Sequence, residues 1–244
     1  MFKASRAILD WLADQGWVAI LAALLVVGGV WGFIELADEV REGQTQRFDE
    51  WAIRALRHKD DLDKPIGPTW LGEVGRDLTA LGGVTVLTLV TIAVTGHLLL
   101  AGKRHAAVFL VIAVAGGLLL STVLKNSFDR ARPDLVKHLS SVYTSSFPSG
   151  HSMLSAVVYL TLGSLLMRVA PRRRLKLFYL GVAMTLTFLV GVSRVYMGVH
   201  WPTDVLAGWT AGLVWALLCW LATRALQRRG AVEQASDADV RSSE

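Results

Sequence analysis

Residues 105–124 read HAAVFLVIAVAGGLLLSTVL, and after the opening histidine the run stays free of charge until Lys125. A bilayer's hydrocarbon core is about 30 Å thick and takes about 20 apolar residues of helix, so this run has the length of one crossing. A helix on a soluble protein would alternate apolar and polar faces. Here the polar residues Ser121 and Thr122 sit together at one end. The same pattern recurs outward in both directions, at 78–101 and 16–36 before it and at 152–169, 175–192 and 203–222 after it.

The six blocks fill about half of the 244 residues, of which 53% are apolar, and the mean hydropathy is +0.45. The links between blocks are too short for a second folded unit. The expected fold is therefore all-α, a polytopic membrane protein with six transmembrane helices in one bundle, forming a single domain over residues 1–229. The small, polar and charged residues 230–244 are expected to form a disordered tail. The first block follows Lys3 and Arg6, as a signal peptide would, but is longer than an h-region and lacks a small-residue cleavage site, so it reads as helix one. Cys219, the single cysteine, lies within the last block, which excludes an intrachain disulfide and reads as packing.

Basic residues beside short loops set the orientation. Lys3 and Arg6, then Lys103 and Arg104, then Arg168, Arg172, Arg173, Arg174 and Lys176, and finally Arg224, Arg228 and Arg229 all fall on one side of a six-helix chain. That side is expected to be cytoplasmic and to hold both termini. The net charge of +5 is mostly this signal. Nucleic acid is excluded as a partner, because the cations sit at helix ends without interleaved aromatics.

The long first loop, 37–77, holds Phe48, Trp51, Ala52, Ala55 and Leu56 at helical spacing, with Asp49, Glu50, Arg54 and Arg57 around them, as in an interfacial helix, which the expected fold includes. Two readings stand: a short solvated helix packed on the bundle, or a lid or lipid-entry element lying at the interface.

The third and fifth loops, expected with the first on the face opposite the cytoplasmic one, carry three groups of reactive residues. Lys125, Arg130, Arg132 and Pro133 follow the third block. Cations are costly inside a bilayer, about 2.5–3.5 kcal/mol each on insertion scales, so they belong at the interface or against an anion. Phe147, Pro148, Ser149, Gly150 and His151 precede the fourth block. Ser149 suits an N-cap, Gly150 permits close approach to the backbone, and a helix N-terminus suits phosphate. Ser193 and Arg194 end the fifth block, and His200, Trp201, Pro202, Thr203 and Asp204 lead into the sixth. Pro202 suits the first helical position. Asp204, four residues after His200, can bond one imidazole nitrogen and leave the other free to attack. Each group alone fits an ordinary cap or anchor. All three on one face, in an orientation deduced from other residues, point to an anion site.

Together these residues resemble the type 2 phosphatidic acid phosphatase (PAP2) superfamily. Its three-part signature is met here by Lys125, Arg132 and Pro133, by Pro148, Ser149, Gly150 and His151, and by Ser193, Arg194, His200 and Asp204, with the six-block layout extending the likeness over about residues 16–222. Arg130 is a cation that the signature leaves without a role.

The resemblance implies a lipid phosphatase of the membrane-bound bacterial branch, with a phosphomonoester or diphosphate headgroup as its substrate. The candidates are undecaprenyl diphosphate, phosphatidylglycerol phosphate, phosphatidic acid and a lipid A phosphate. It implies that His200 attacks phosphorus to give a phosphohistidine, that Asp204 orients its ring, and that His151 protonates the leaving oxygen and then activates water. Lys125, Arg132, Arg194, Ser149 and Gly150 are then the phosphate-binding set, no metal or other cofactor is required, and the partners are the substrate and membrane lipids. Family habit places it in the cell inner membrane with the active site on the periplasmic face. A lipid phosphotransferase using the same site remains open, as, at greater distance, do a vanadium haloperoxidase and a noncatalytic lipid-phosphate binder or transporter. His58, His97, His105 and His138 lack comparable surroundings in the sequence and read as structural or solvated.

Overall fold

A computed structural model describes residues 16–136, 138–139 and 144–228. The tail expected at 230–244 lies outside the described residues, as do Lys3, Arg6 and Arg229. In chain order the elements are α1 (Trp17–Arg41), α2 (Gln46–Ala55), β1 (Arg57–His58), β2 (Asp61–Pro65), α3 (Trp70–Ala80), α4 (Val84–Leu100), α5 (Arg104–Ser127), α6 (Gly150–Val169), α7 (Arg173–Tyr196) and α8 (Pro202–Arg228).

Five of these helices, α1, α5, α6, α7 and α8, are long and apolar enough to cross a membrane. The sixth crossing expected from residues 78–101 is instead a bent pair, α3 and α4, meeting at 48° across a short break. The break falls at 81–83, where Gly82 and Gly83 interrupt the helical run. Gly82 passes so close to α6 that a Cβ on it would lie 3.2 Å from the His151 carbonyl oxygen. Leu78 to Ala80 thus belong to the helix before the break.

α6 is the central post: 56% of its apolar stretch is buried within the protein, against 11% of that of α1. It packs against α4, α5, α7 and α8. The large apolar side chains on the outside, among them Trp31, Ile92, Leu100, Leu119 and Phe178, match a hydrocarbon solvent, where burying apolar surface between helices gains little and close packing of small residues holds a bundle together. α8 uses that device against α6. Cβ atoms at Gly208 and Gly212 would come within 2.6 Å of the carbonyl oxygens of Ser149 and Met153.

The helices run past their apolar blocks, α5 to Ser127 and α7 to Tyr196, which carries Lys125 and Arg194 outward on last turns. The C-terminal ends of α5 and α7 meet the N-terminal ends of α6 and α8. At the opposite end, Gly16 faces Arg224 of α8, and the turns after α4 and α6 carry Lys103, Arg104, Arg172 and Arg173.

The first loop is more structured than its sequence suggests. α1 continues to Arg41, α2 forms where expected, and an antiparallel hairpin with an irregular register follows. α2 keeps outward the aromatic side chains of the interfacial helix expected there, and meets the bundle through another face. It buries Asp49 and Ile53 completely and leaves Phe48 and Trp51 exposed. Ile53 packs with Val136 and Trp201 beside the site, so the buried face is chosen by an ionic partner, described below, rather than by the aromatic residues.

Candidate active site

A five-residue link joins α7 to α8. It is tight because Gly198 takes φ of +71°, a conformation that costs a residue with a side chain, while Met197 and Gly198 N–H groups bond back to Ser193 and Val195 carbonyls at 2.8 and 2.9 Å. The link delivers His200 directly beneath the end of α7. Pro202 then opens α8, placing Asp204 in its first turn.

His200 and Asp204 are both buried. The His200 Nδ1 stands 3.3 Å from Asp204 Oδ2, and Arg132 Nη1 stands 3.2 Å from Nε2. A guanidinium can only donate, so Nε2 accepts and the ring proton resides on Nδ1, donated to Asp204. Burial pushes the His200 imidazole down to about 4, against the opposing pull of the Asp204 carboxylate. The ring is therefore neutral at pH 7, with its lone pair on Nε2, on the side of the cations.

Asp204 is held from every direction. Oδ2 also accepts from the Trp201 N–H at 2.9 Å and from the Ser146 hydroxyl. Oδ1 accepts from Arg130 Nη1 at 2.5 Å. Arg130 Nη2 in turn donates to Asp49 Oδ2 at 2.7 Å, and Asp49 accepts from the Thr203 N–H and hydroxyl at 3.1 and 2.6 Å. Arg130 thus bridges two buried carboxylates, one from α2 and one from α8.

On the other side of His200 the cations gather. Arg132 donates from Nε to the Thr144 carbonyl at 2.9 Å and from Nη1 to the Val199 carbonyl at 2.6 Å. Burial lowers its pKa while Asp204 raises it. Lys125 Nζ donates to the Ser145 carbonyl at 3.0 Å and the Thr144 hydroxyl at 3.3 Å, the same hydroxyl that Arg132 Nη2 reaches at 3.3 Å. Two cations on one acceptor are adjacent without neutralising each other. Gly150 leaves room for Lys125: a Cβ there would lie 3.0 Å from its Cε. Ser149 caps α6, its Oγ accepting from the Ser152 N–H at 3.4 Å and the Ser152 hydroxyl at 2.8 Å, and its own N–H donates to the Asp204 carbonyl at 2.9 Å.

Arg194, buried at the end of α7, donates from Nη1 to the Thr79 hydroxyl of α3 at 2.9 Å, and among the described residues its buried Nε finds no hydrogen-bond partner. His151, in the first turn of α6, feels the charges of Arg194, His200, Lys125 and Arg132. All eight residues singled out from the sequence thus stand at one end of the bundle around His200. Nothing in the sequence gives Arg130 a role or marks Asp49, Ser146, Thr203 and Thr79, which hold the site from behind. No spacing rule links Asp49 to Asp204, and only the surplus cation at Arg130 hinted at unseen carboxylates. Of the other histidines, His58, His97 and His105 are exposed, and His138 Nε2 donates to the Pro133 carbonyl at 2.5 Å.

The sequence model of the PAP2 superfamily matches residues 106–228, more than half of the chain and a span within which all eight residues lie. The chain belongs to the PAP2 superfamily. It is 36% identical over 186 residues to phosphatidylglycerophosphatase B of Bacillus subtilis, covering 75% of this chain and 86% of that protein. It is 30% identical over 184 residues to lipid A 1-phosphatase of Rhizobium etli, covering 64% and 75%. The crystal structure of a transmembrane PAP2 type phosphatidylglycerolphosphate phosphatase from Bacillus subtilis superposes with a TM-score of 0.76 at 30% identity, covering 82% of this chain and 96% of that one. The superposition covers more of this PAP2 chain than the 106–228 segment alone, and supports a multi-pass helical membrane fold.

Proposed function

We propose that the chain is a membrane lipid phosphatase that hydrolyses a phosphomonoester or diphosphate headgroup through a phosphohistidine on His200. The observation that carries this reading is the polarity of the His200 ring. Nδ1 bonds Asp204, and the neutral Nε2 looks toward Arg132, with Lys125, Arg194 and His151 around it.

In the first step Nε2 forms a bond to phosphorus while the bond from phosphorus to the lipid oxygen breaks. That oxygen takes a proton from His151. Asp204 stabilises the positive charge that develops on the ring. In the second step His151 takes a proton from water, whose oxygen attacks phosphorus and returns His200 with inorganic phosphate as product. Proton transfer of this kind is worth typically 10²- to 10⁴-fold. Lys125, Arg132 and Arg194, with the Ser149 hydroxyl and the Gly150 N–H, hold the non-bridging oxygens, and the buried Arg194 Nε, without a partner among the described residues, supplies one of the donors. Fixed donors aimed at developing charge are the main contribution a protein makes to phosphoryl transfer.

The site faces the periplasmic side of a bacterial inner membrane, with both termini cytoplasmic. The positive-inside rule supports this, since the basic turns after α4 and α6 lie at the end of the bundle opposite His200. Among substrates phosphatidylglycerol phosphate comes first, supported by the relative that shares 36% identity. Undecaprenyl diphosphate, phosphatidic acid and lipid A phosphate follow.

The test is phosphate release from these four lipids by the purified protein in detergent micelles, beside His200→Ala. The expected result is release by the wild type alone, fastest on one lipid. Undiminished release by His200→Ala would remove the histidine from the reaction.

A further inference from the structure

Among the described residues, Asp49 is fully buried in the first-loop helix, 151 positions from the nucleophile in sequence, yet it is joined to the site by two hydrogen-bonded links. Arg130 lies between Asp49 and Asp204, 2.7 and 2.5 Å from their oxygens, and its side chain is only 13% exposed. Packing alone gives no reason for a buried carboxylate on a short helix. Such a group is costly unless paired, and Ile53, one turn on, would anchor the helix without it.

We propose that Asp49 is a positioning residue for catalysis, which holds Arg130 in place and shares its charge, so that Asp204 keeps a net negative field on His200. Asp204 with Arg130 alone is neutral and would do little for the positive ring that forms when His200 carries phosphate. Asp49 restores one negative charge to the trio. Thr203 aids this by donating twice to Asp49 while its hydroxyl also accepts from Arg130 Nη1 at 2.9 Å. Among the described residues, the other charges facing His200 are Arg132 from the loop after α5, Arg194 from α7, Lys125 from α5 and the titratable His151 from α6. All those cations act in the opposite sense, which leaves the trio as the counterweight. The first loop is then part of the reaction machinery rather than a cover for it.

This inference rests on His200 as the nucleophile, and its test separates the two. Three variants, Asp49→Asn, Arg130→Gln and the double variant, are compared with wild type by histidine-selective ¹⁵N NMR, with the His200 signal identified by its loss in His200→Ala. Turnover of phosphatidylglycerol phosphate in detergent micelles is followed in parallel. The trio's charge is one negative in wild type, zero in Asp49→Asn, two negative in Arg130→Gln and one negative again in the double variant. The His200 midpoint should therefore fall in Asp49→Asn, rise in Arg130→Gln and return toward wild type in the double variant. In Asp49→Asn, kcat should drop about tenfold, the equivalent of about one pKa unit of lost ring stabilisation, with KM little changed, and the double variant should recover part of it. Shifts of the same sign in both single variants, or an unchanged kcat in Asp49→Asn, would overturn the proposal. The titration reports on the field at His200 whether or not that residue proves to be the nucleophile, and a shared loss of fold would show instead as aggregation in size-exclusion profiles with additive losses in the double variant, which also counts against it.

Discussion

Gly208 of α8 lies against the backbone of Ser149, so close that a Cβ would sit 2.6 Å from its carbonyl oxygen and 3.2 Å from the Met153 nitrogen. The contact sets how the first turn of α8, with Asp204, meets the first turn of α6, with His151. Backbone cannot yield as a side-chain tip can, so Gly208→Ala should destabilise by about 1–3 kcal/mol, the range for overpacking, and lower turnover with it. Gly96→Ala in α4, where nothing lies within 4 Å, is the matched control and should leave the melting temperature in detergent unchanged or slightly raised. Equal melting temperatures for the two variants would mean that the helices have room to separate.

Arg194 offers a test of anion binding apart from turnover. Its Nε is buried and without a partner among the described residues while Nη1 is held by Thr79, so a phosphate oxygen would satisfy that donor. Inorganic phosphate should raise the wild-type melting temperature, by the equivalent of about 2.7 kcal/mol at a hundred times its dissociation constant. Arg194→Gln should need at least about tenfold more phosphate for the same shift. An identical phosphate response in the variant would take Arg194 out of the oxygen-holding set.

How much of this was legible in the sequence depended on whether a signal was local. Blocks such as 105–124 announce a crossing because lipid demands an unbroken apolar helix. The Ser149 cap and the His200–Asp204 pair were readable because each is closed within one turn. The hairpin was not, since β1 has two residues and no period. α3 hid because Gly72, Gly75, Arg76 and Asp77 read as loop, although Gly75 is there to let Tyr196 approach, with a Cβ due 3.2 Å from its Cδ1. The interfacial helix α2 was legible from its aromatic residues, but the face it turns to the bundle was not. In a membrane protein Phe48 and Trp51 are not driven inward as they would be in water, and the Arg130 salt bridge turned Asp49 inward instead.

Arg132 tests geometry against charge. It donates at once to the Thr144 and Val199 carbonyls and to His200 Nε2, which only a planar fork of several donors can do. Arg132→Lys keeps the charge but cannot fix the ring and bind oxygen together. Its kcat/KM should fall by roughly 10²-fold, about 2.7 kcal/mol of transition-state stabilisation, in steady-state assays on phosphatidylglycerol phosphate. A loss under about threefold would show that charge alone suffices there.

The protonation of His200 leads to a dependence on pH with a definite sign. Its folded value, about 4, lies below the roughly 6.5 of an unfolded histidine. Between those values the unfolded chain binds a proton that the folded chain excludes, so stability rises with pH across the window. This contribution is fully present above about 6.5 and is lost as pH falls toward about 4. His200→Gln, which cannot titrate, should lose less stability than wild type when melting temperatures are compared at pH 7 and pH 5. The same burial keeps Nε2 unprotonated through the neutral range, so phosphohistidine formation followed by rapid quench should not lose its nucleophile until the pH approaches about 4. A ¹⁵N midpoint for His200 near 6.5, or equal acid sensitivity in the variant, would mean that water reaches the ring and that the Asp204 field, rather than burial, governs its charge.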